Sequence, residues 1–369
     1  MINMVMTSIM SVLIIAIDVT MGLTPLYSRR SNLFGITIPS SLQNDPDIKK
    51  MGKRFIKGML WLNVPLCLPL IVFNNLPLTK ENEMIFSGYL GLAILLIFIV
   101  YFILYADTRK KLICYLSQKN VSNSQSTIRL DLNFRQNLIL VSNWLIVGIN
   151  CLILLVGVVY TLLTYSKIPS EIPTNFNFQM EPDAFVSKSP LHVMTMPILQ
   201  LFLLGVFVLT NRGFKQAKQQ LASEKTSIYL ANDMKFRRIS SIGLLISSIF
   251  IQILLTMIQV VTVTPDANYG LLLPVVIWTL VGTIGINLYL GIKYRQSGEQ
   301  LTPNINFDMM KDDKFWKFGL IYWNTNDPSI WVEKKVGTGL SLNFAHWQSW
   351  FLLVVVIVFP IVMIAVLGN

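Results

Sequence analysis

The chain is poor in the side chains that most enzymes work with. Its 369 residues include two histidines and three cysteines, and 30 Lys and Arg outnumber 19 Asp and Glu. No H-E-x-x-H, G-x-S-x-G or Gly-rich phosphate loop is present, and His192 lies at the start of one apolar run while His346 lies just ahead of another. A histidine-centred metal site, a catalytic triad and a P-loop therefore lack their residues. Cys67 and Cys151 lie inside apolar runs and Cys114 on a basic segment. No pair has the placement of an external disulfide or the spacing of a zinc site, so three free thiols are expected. The expectation is a non-enzyme without metal or cofactor.

What the chain has instead is long apolar runs. Eight of them, at 4–27, 58–76, 84–106, 138–165, 191–210, 239–262, 271–293 and 347–367, are each near the roughly 20 residues that a helix needs to cross a hydrocarbon core. Continuous apolar sequence of this kind spans as helices, because a lone strand would leave its backbone polar groups unpaired in lipid. The fold class is thus an all-α polytopic membrane protein of about eight transmembrane helices. The first run lacks a basic leader and a small-residue cleavage site, so it reads as a retained helix.

The charges are sorted by these runs. Segments 28–57, 107–137, 211–238 and 293–346 hold 27 of the 30 Lys and Arg, leaving only Lys80, Lys167 and Lys188 on the alternate segments. The positive-inside rule makes the first set cytoplasmic and places both termini outside the cytosol. The net charge of +11 then lies against an anionic leaflet, so the expected partner is the bilayer and not nucleic acid.

Five units follow: 1–137, three spans with their basic loops; 138–210, a helix-loop-helix unit; 211–293, a cytoplasmic extension with two spans; 294–346, an aromatic-rich cytoplasmic module; and 347–369, the last span. Within them, 47–57 reads as a basic amphipathic stretch along the membrane surface, 117–127 as a Ser-Asn-Gln loop and 216–230 as a helical extension. The module at 294–346 carries Trp316, Tyr322, Trp323 and Trp331 with an Asn324-to-Pro328 turn signal. It reads as a β-hairpin or three-stranded flap at 318–323, 329–332 and 340–344, with those aromatics facing the membrane surface or a protein partner.

On the outer side only 166–190 is long. Pro169, Pro173 and Pro182 disfavour helix there and favour a defined extended loop. Glu181 and Asp183 read either as paired carboxylates or as a solvated pair with a local ion pair to Lys188. Asp18, Asn143, Asn150 and Asn287 are among the polar residues within the apolar runs. Asp18 is costly unless it meets a partner or water, which leaves a buried polar contact or an ion pathway open. Asn143, Asn150 and Asn287 read as hydrogen-bond partners between helices. Pro197, Pro274 and Pro360 are candidate kinks.

Two stretches carry a resemblance. Ile172-Pro173-Thr174-Asn175-Phe176-Asn177, then Glu181-Pro182-Asp183 and Lys188, resemble the outer-loop domain of SdpI-type bacterial immunity proteins, with Asn175 in the place of that family's histidine and Met180 in that of its glycine. Asp312 to Lys317, Asn326-Asp327-Pro328, Val332, Lys334, Gly337, Gly339 and Asn343-Phe344 are similar to an uncharacterised tail module of such polytopic proteins, and Phe34 to Pro39 to a cytoplasmic motif of the same proteins. The resemblance implies a bacterial cell-membrane protein that protects against, or senses, a secreted peptide, in some members by sequestering a cytoplasmic repressor. It makes Asn175, Asn177, Glu181, Asp183 and Lys188 the candidate ligand-binding residues, with an extracellular peptide and a cytoplasmic regulator as partners. A transporter or channel using Asp18 and the intramembrane asparagines is the alternative; it calls for internal repeats or paired broken helices, and no convincing repeat is evident.

Overall fold

The computed structural model describes residues 2–76, 79–119, 134–177, 181–218, 226–305 and 312–367. Met180, most of the Ser-Asn-Gln loop and the middle of the expected 216–230 helix lie outside them. Eleven helices are described: α1 (Ile2–Gly22), α2 (Thr24–Tyr27), α3 (Pro46–Asn75), α4 (Lys80–Gln118), α5 (Phe134–Asn137), α6 (Asn143–Thr164), α7 (Pro190–Val193), α8 (Thr195–Gln216), α9 (Thr226–Val263), α10 (Leu272–Tyr294) and α11 (Trp347–Leu367). Six of them, α3, α4, α6, α8, α9 and α10, are long and apolar enough to cross a membrane, and α1 and α11 supply shorter apolar stretches, Ile9–Gly22 and Trp347–Met363. The protein is a multi-pass membrane protein whose environment is a lipid bilayer. Exposed Leu, Ile, Val and Phe side chains along α3, α4, α6 and α11 are the lipid-facing surface that such a solvent requires.

Local chemistry sets the helix ends. Asp45 caps α3, accepting from the N–H groups of Asp47 (2.8 Å) and Ile48 (3.4 Å) ahead of Pro46 in the first turn, where a missing N–H costs nothing. The helix continues through Gly58, so the basic stretch 47–57 is the first third of α3 and not a separate surface helix. Pro197 and Pro274 fall in the first turns of α8 and α10, where proline is tolerated. Pro360 lies inside α11, and Pro65 and Pro69 lie inside α3.

Helices α1, α3 and α4 pack as one group, and α6, α8, α9 and α10 as another, with α10 also meeting α1 and α2. Four two-stranded antiparallel pairs decorate the two ends of these bundles. β1 (Asn32–Leu33) and β2 (Ile36–Thr37) form a hairpin after α2, and β3 (Glu171–Phe176) with β4 (Pro182–Ser187) forms the hairpin between α6 and α7. β5 (Trp316–Lys317) pairs with β6 (Ile321–Tyr322), and β7 (Trp331–Glu333) with β8 (Leu340–Leu342). A Tyr322–Asn343 bridge joins the last two pairs. The tail module is therefore two linked hairpins, the expected strands at 318–323, 329–332 and 340–344 being β6, β7 and β8 with β5 added beside β6. Its small core is Trp316, Tyr322 and Val332, all at most 3% exposed.

Candidate functional site

The β3–β4 hairpin lies at one end of the second bundle and the tail module at the other; they are called here the hairpin face and the basic face. At the hairpin face, the register pairs Ile172 with Val186 and turns both inward onto Ile168, Val193 and Val263. A bulge between Pro173 and Phe176 re-aims the strand, and Asn175, Asp183 and Phe185 are left exposed on the outside. Asn177 and Glu181 clasp across the tip: Asn177 Oδ1 accepts from the Glu181 N–H (2.8 Å) and the Asn177 N–H donates to Glu181 O (2.9 Å). Lys188 forms no ion pair with Glu181 or Asp183 among the described contacts. Its Nζ donates to the carbonyls of Tyr165 (2.6 Å) and Ile168 (3.1 Å) and stands over the Tyr165 ring, so it closes the base of the hairpin.

Beneath the hairpin is a cavity of about 290 Å³, walled by Pro173, Phe176 and Val186 above, Met196 and Leu199 of α8, Ile258 and Gln259 of α9, and Pro360 and Met363 of α11. It is mostly apolar with a few polar groups at its edge, the usual composition of a recognition pocket. His192 borders it, with Nδ1 2.6 Å from Ser187 O.

The bundle below is stitched by neutral polar groups. Gln200 and Gln252 donate their side-chain N–H groups to each other's backbone carbonyls (3.1 and 3.0 Å), and Gln200 also reaches Thr256 (2.8 Å). Gln259 donates to Thr161 (2.9 Å) and to Val193 O (2.7 Å). Asn150 donates to Ser248 (3.0 Å), Asn143 accepts from Asn211 (2.7 Å), and Asn287 donates to Ser247 (3.1 Å). The three intramembrane asparagines thus bond across helices, as a low-dielectric solvent favours. Asp18, 0% exposed, accepts from Asn63 Nδ2 of α3 at 2.6 Å, which fastens α1 to α3.

The basic face holds a site that the sequence did not reveal. Glu333 of β7, 2% exposed, accepts from Arg29, from Arg237 Nη2 (2.7 Å) and from Ser297 Oγ (2.8 Å). Arg237 in turn meets Asp233 (3.0 Å) and the carbonyls of Phe214 (2.9 Å) and Ala217 (3.0 Å). Glu299 accepts from Ser31 Oγ (2.5 Å) and from the Arg30 N–H (2.7 Å). Arg29 and Arg237 are 0% and 1% exposed, so these topology-marking cations are interior ones. Buried charges persist only when paired, and here each cation has its anion. Nearby, two turns meet back to back. Phe34-Gly35 and Phe318-Gly319 all have positive φ (48°, 70°, 53° and 77°), the geometry of the tight hairpin turn that matches strand twist. A Cβ on Gly319 would stand 2.7 Å from Gly35 Cα. Arg109 caps Phe34 O (2.6 Å) and Tyr105 caps Phe318 O (3.0 Å).

Of the aromatics expected at a surface, Trp316 and Tyr322 are instead interior, the indole donating to Asp312 (3.0 Å) and the phenol to Asp327 (2.9 Å). Trp331 packs on Gly213 of α8, and Trp323 is 43% exposed. Burial pushes the Tyr322 phenol well above its ordinary value. Burial also raises the Asp327 carboxyl, but the hydrogen bonds from Lys218, the Ser329 N–H and Tyr322 outweigh it and hold the group below the usual carboxylate range.

Known families overlap these two ends. A model described as a domain of unknown function, DUF1648, matches residues 152–201, which take in most of α6, the β3–β4 hairpin and the start of α8. A second, described as a family of unknown function, DUF5808, matches residues 325–350, the second half of the tail module and the start of α11. No curated protein and no solved structure matches the chain.

Proposed function

We propose that this is a bacterial cell-membrane protein that senses, or confers immunity to, a secreted peptide, with the β3–β4 hairpin outside and the tail module in the cytosol. The observation that carries the reading is that two helices join the ends directly. α9 begins in the charge cluster with Asp233 and Arg237 and ends beneath the hairpin with Gln259 and Val263. α11 begins on the module, where Ser349 Oγ donates to Asn343 O (2.7 Å) and Trp350 Nε1 to Phe344 O (3.0 Å), and reaches the hairpin cavity with Pro360 and Met363. The apolar cavity takes a side chain of the peptide, the exposed Asn175 and Asp183 bind its polar groups, and the module holds a cytoplasmic regulator through the exposed Trp323.

The test is survival or reporter output in cells challenged with supernatants of peptide-secreting competitors. Asn175→Ala with Asp183→Ala is expected to abolish protection or signalling at unchanged protein level, because exposed substitutions alter stability by less than about 0.5 kcal/mol. Full activity in that variant refutes the hairpin as the recognition surface.

A further inference from the structure

A cavity of about 480 Å³, larger than the one under the hairpin, opens at the basic face between the two helix groups. Its walls are unlike each other. One side is built from the spanning helices, with Thr20 of α1, Tyr101 of α4, and Ile284 and Leu288 of α10. The other is the β7–β8 turn, Lys334 to Gly339, together with Ser341 of β8; the turn carries Gly337 and Gly339 at φ of 80° and 103°. The helical wall also carries Thr283 and Asn287 but is mostly apolar in surface, and such a wall ending on a cationic turn has the polarity of a phospholipid.

The polar groups on the turn are mostly spoken for, and this narrows the chemistry. The Gly337 N–H donates to Ser28 Oγ (2.7 Å) and the Gly339 N–H to Gln296 Oε1 (2.8 Å). Lys335 is held by Asp312 (2.7 Å) and Asp313, which neutralise it. Among the described residues Lys334 has no carboxylate within ion-pair distance; its side chain reaches solvent at the cavity, while partial desolvation by its neighbours lowers its ammonium from the ordinary value, which an anion alongside would offset. The charge offered to a ligand is therefore that of Lys334, with the Thr338 hydroxyl beside it. Basic pockets between helix ends are where anionic lipid headgroups bind.

We propose that this cavity is a site for an anionic phospholipid, with its phosphate against Lys334 and Thr338 and an acyl chain along Ile284 and Leu288. The ligand bridges α10 and the tail module at the place where the two helix groups meet, so the lipid is part of the joint between them. A soluble phosphate ester offers the same headgroup chemistry without the chain. The apolar wall favours the lipid, and the proposal is independent of the peptide reading.

The experiment is native mass spectrometry of the purified full-length protein with phosphatidylglycerol or phosphatidylcholine added, and with glycerol phosphate as the soluble competitor. Retention of phosphatidylglycerol over phosphatidylcholine is expected. Lys334→Gln should reduce that preference about fivefold, the effect of one cation near a headgroup. Lys53→Gln, which removes an exposed cation of the same face, should leave it intact. Ile284→Trp, which fills the apolar end, should lower occupancy by both lipids. Equal loss in Lys53→Gln would show diffuse attraction only, and retention of both lipids by Ile284→Trp would place the lipid elsewhere. Displacement of phosphatidylglycerol by glycerol phosphate at matched concentration would make the ligand a soluble one. Any of these three results, or no headgroup preference at all, overturns the proposal.

Discussion

Among the described residues Glu333 is the carboxylate at which loop, helix and tail meet at the basic face, and its neutralisation is a sharp perturbation. Glu333→Gln keeps the size and one acceptor but removes the charge. At 2.7 Å and an effective dielectric near 20, the attraction to Arg237 alone is about 6 kcal/mol before desolvation, which takes several kcal/mol back for each ion. The net value of the pair is therefore small, but the cost of breaking it is not. Arg237 keeps Asp233, whereas Arg29, 0% exposed, loses the carboxylate it faces, and breaking a buried ion pair from one side costs about 3–5 kcal/mol. The consequence is a tail module that detaches well before the spans unfold.

Thermal unfolding of the detergent-solubilised protein, followed by tryptophan fluorescence and by limited proteolysis between 312 and 346, reads both events. Glu333→Gln should bring forward cleavage in the module, and Arg29→Gln combined with Glu333→Gln should be less damaging than the sum of the two single variants by at least about 1 kcal/mol. A Glu333→Gln protein that melts and is cleaved like the wild type would show that the carboxylate is not the counter-charge of Arg29 and Arg237.

Three further outcomes are expected. A cysteine at the exposed Ser187 should react with an impermeant thiol reagent on intact cells while the exposed native Cys114 does not, and labelling of Cys114 from outside would reverse the assigned orientation. Gly35→Ala should loosen the junction of the two turns by more than the about 1–2 kcal/mol that left-handed φ alone costs, because its Cβ collides with Gly319; normal protease resistance of the module would contradict this contact. Since the Asp327 carboxyl lies below its ordinary range, its stabilising effect is present above the unfolded value near 4 and is lost as pH falls through the folded one. Module unfolding by circular dichroism should therefore steepen below about pH 4, and Asp327→Asn should flatten that limb.

The spans were legible because the bilayer imposes their length and composition, and the prolines at 169, 173 and 182 announced non-helical backbone where β3 and β4 form. Arg29 and Arg237 read as topology signals because composition does not show that both turn inward onto one carboxylate, Glu333, which lies 304 residues and 96 residues away. Trp316 and Tyr322 were placed on the surface for a related reason: an aromatic-rich segment too short for a large core still closes a small one when its indole and phenol find Asp312 and Asp327. The amide stitching of α9 did leave a trace. Ser241, Ser248, Gln252, Thr256 and Gln259 fall on one helical face, and all five are buried. Read with period 3.6, that stripe points to polar neighbours on α6 and α8.

The way the helices are held decides which of them connects the hairpin cavity to the module. α8 and α9 are locked in register, because Gln200 and Gln252 each bond the other's backbone; a slide of one turn would break both bonds and leave two amides unpaired in lipid, where each costs several kcal/mol. Arg237 then ties the same α9 to the carbonyls of Phe214 and Ala217 at the end of α8. These two helices are a frame. α11 meets α8 through the stacked rings of Phe202 and Phe359, 4.0 Å apart, a contact without direction-specific hydrogen bonds. Its firm attachments are at its start, on Asn343 and Phe344 of the module, and Pro360 removes a backbone hydrogen bond beside the cavity. Under the proposed peptide reading, occupancy of the cavity would therefore act first on the part of α11 beside Pro360, against the frame of α8 and α9.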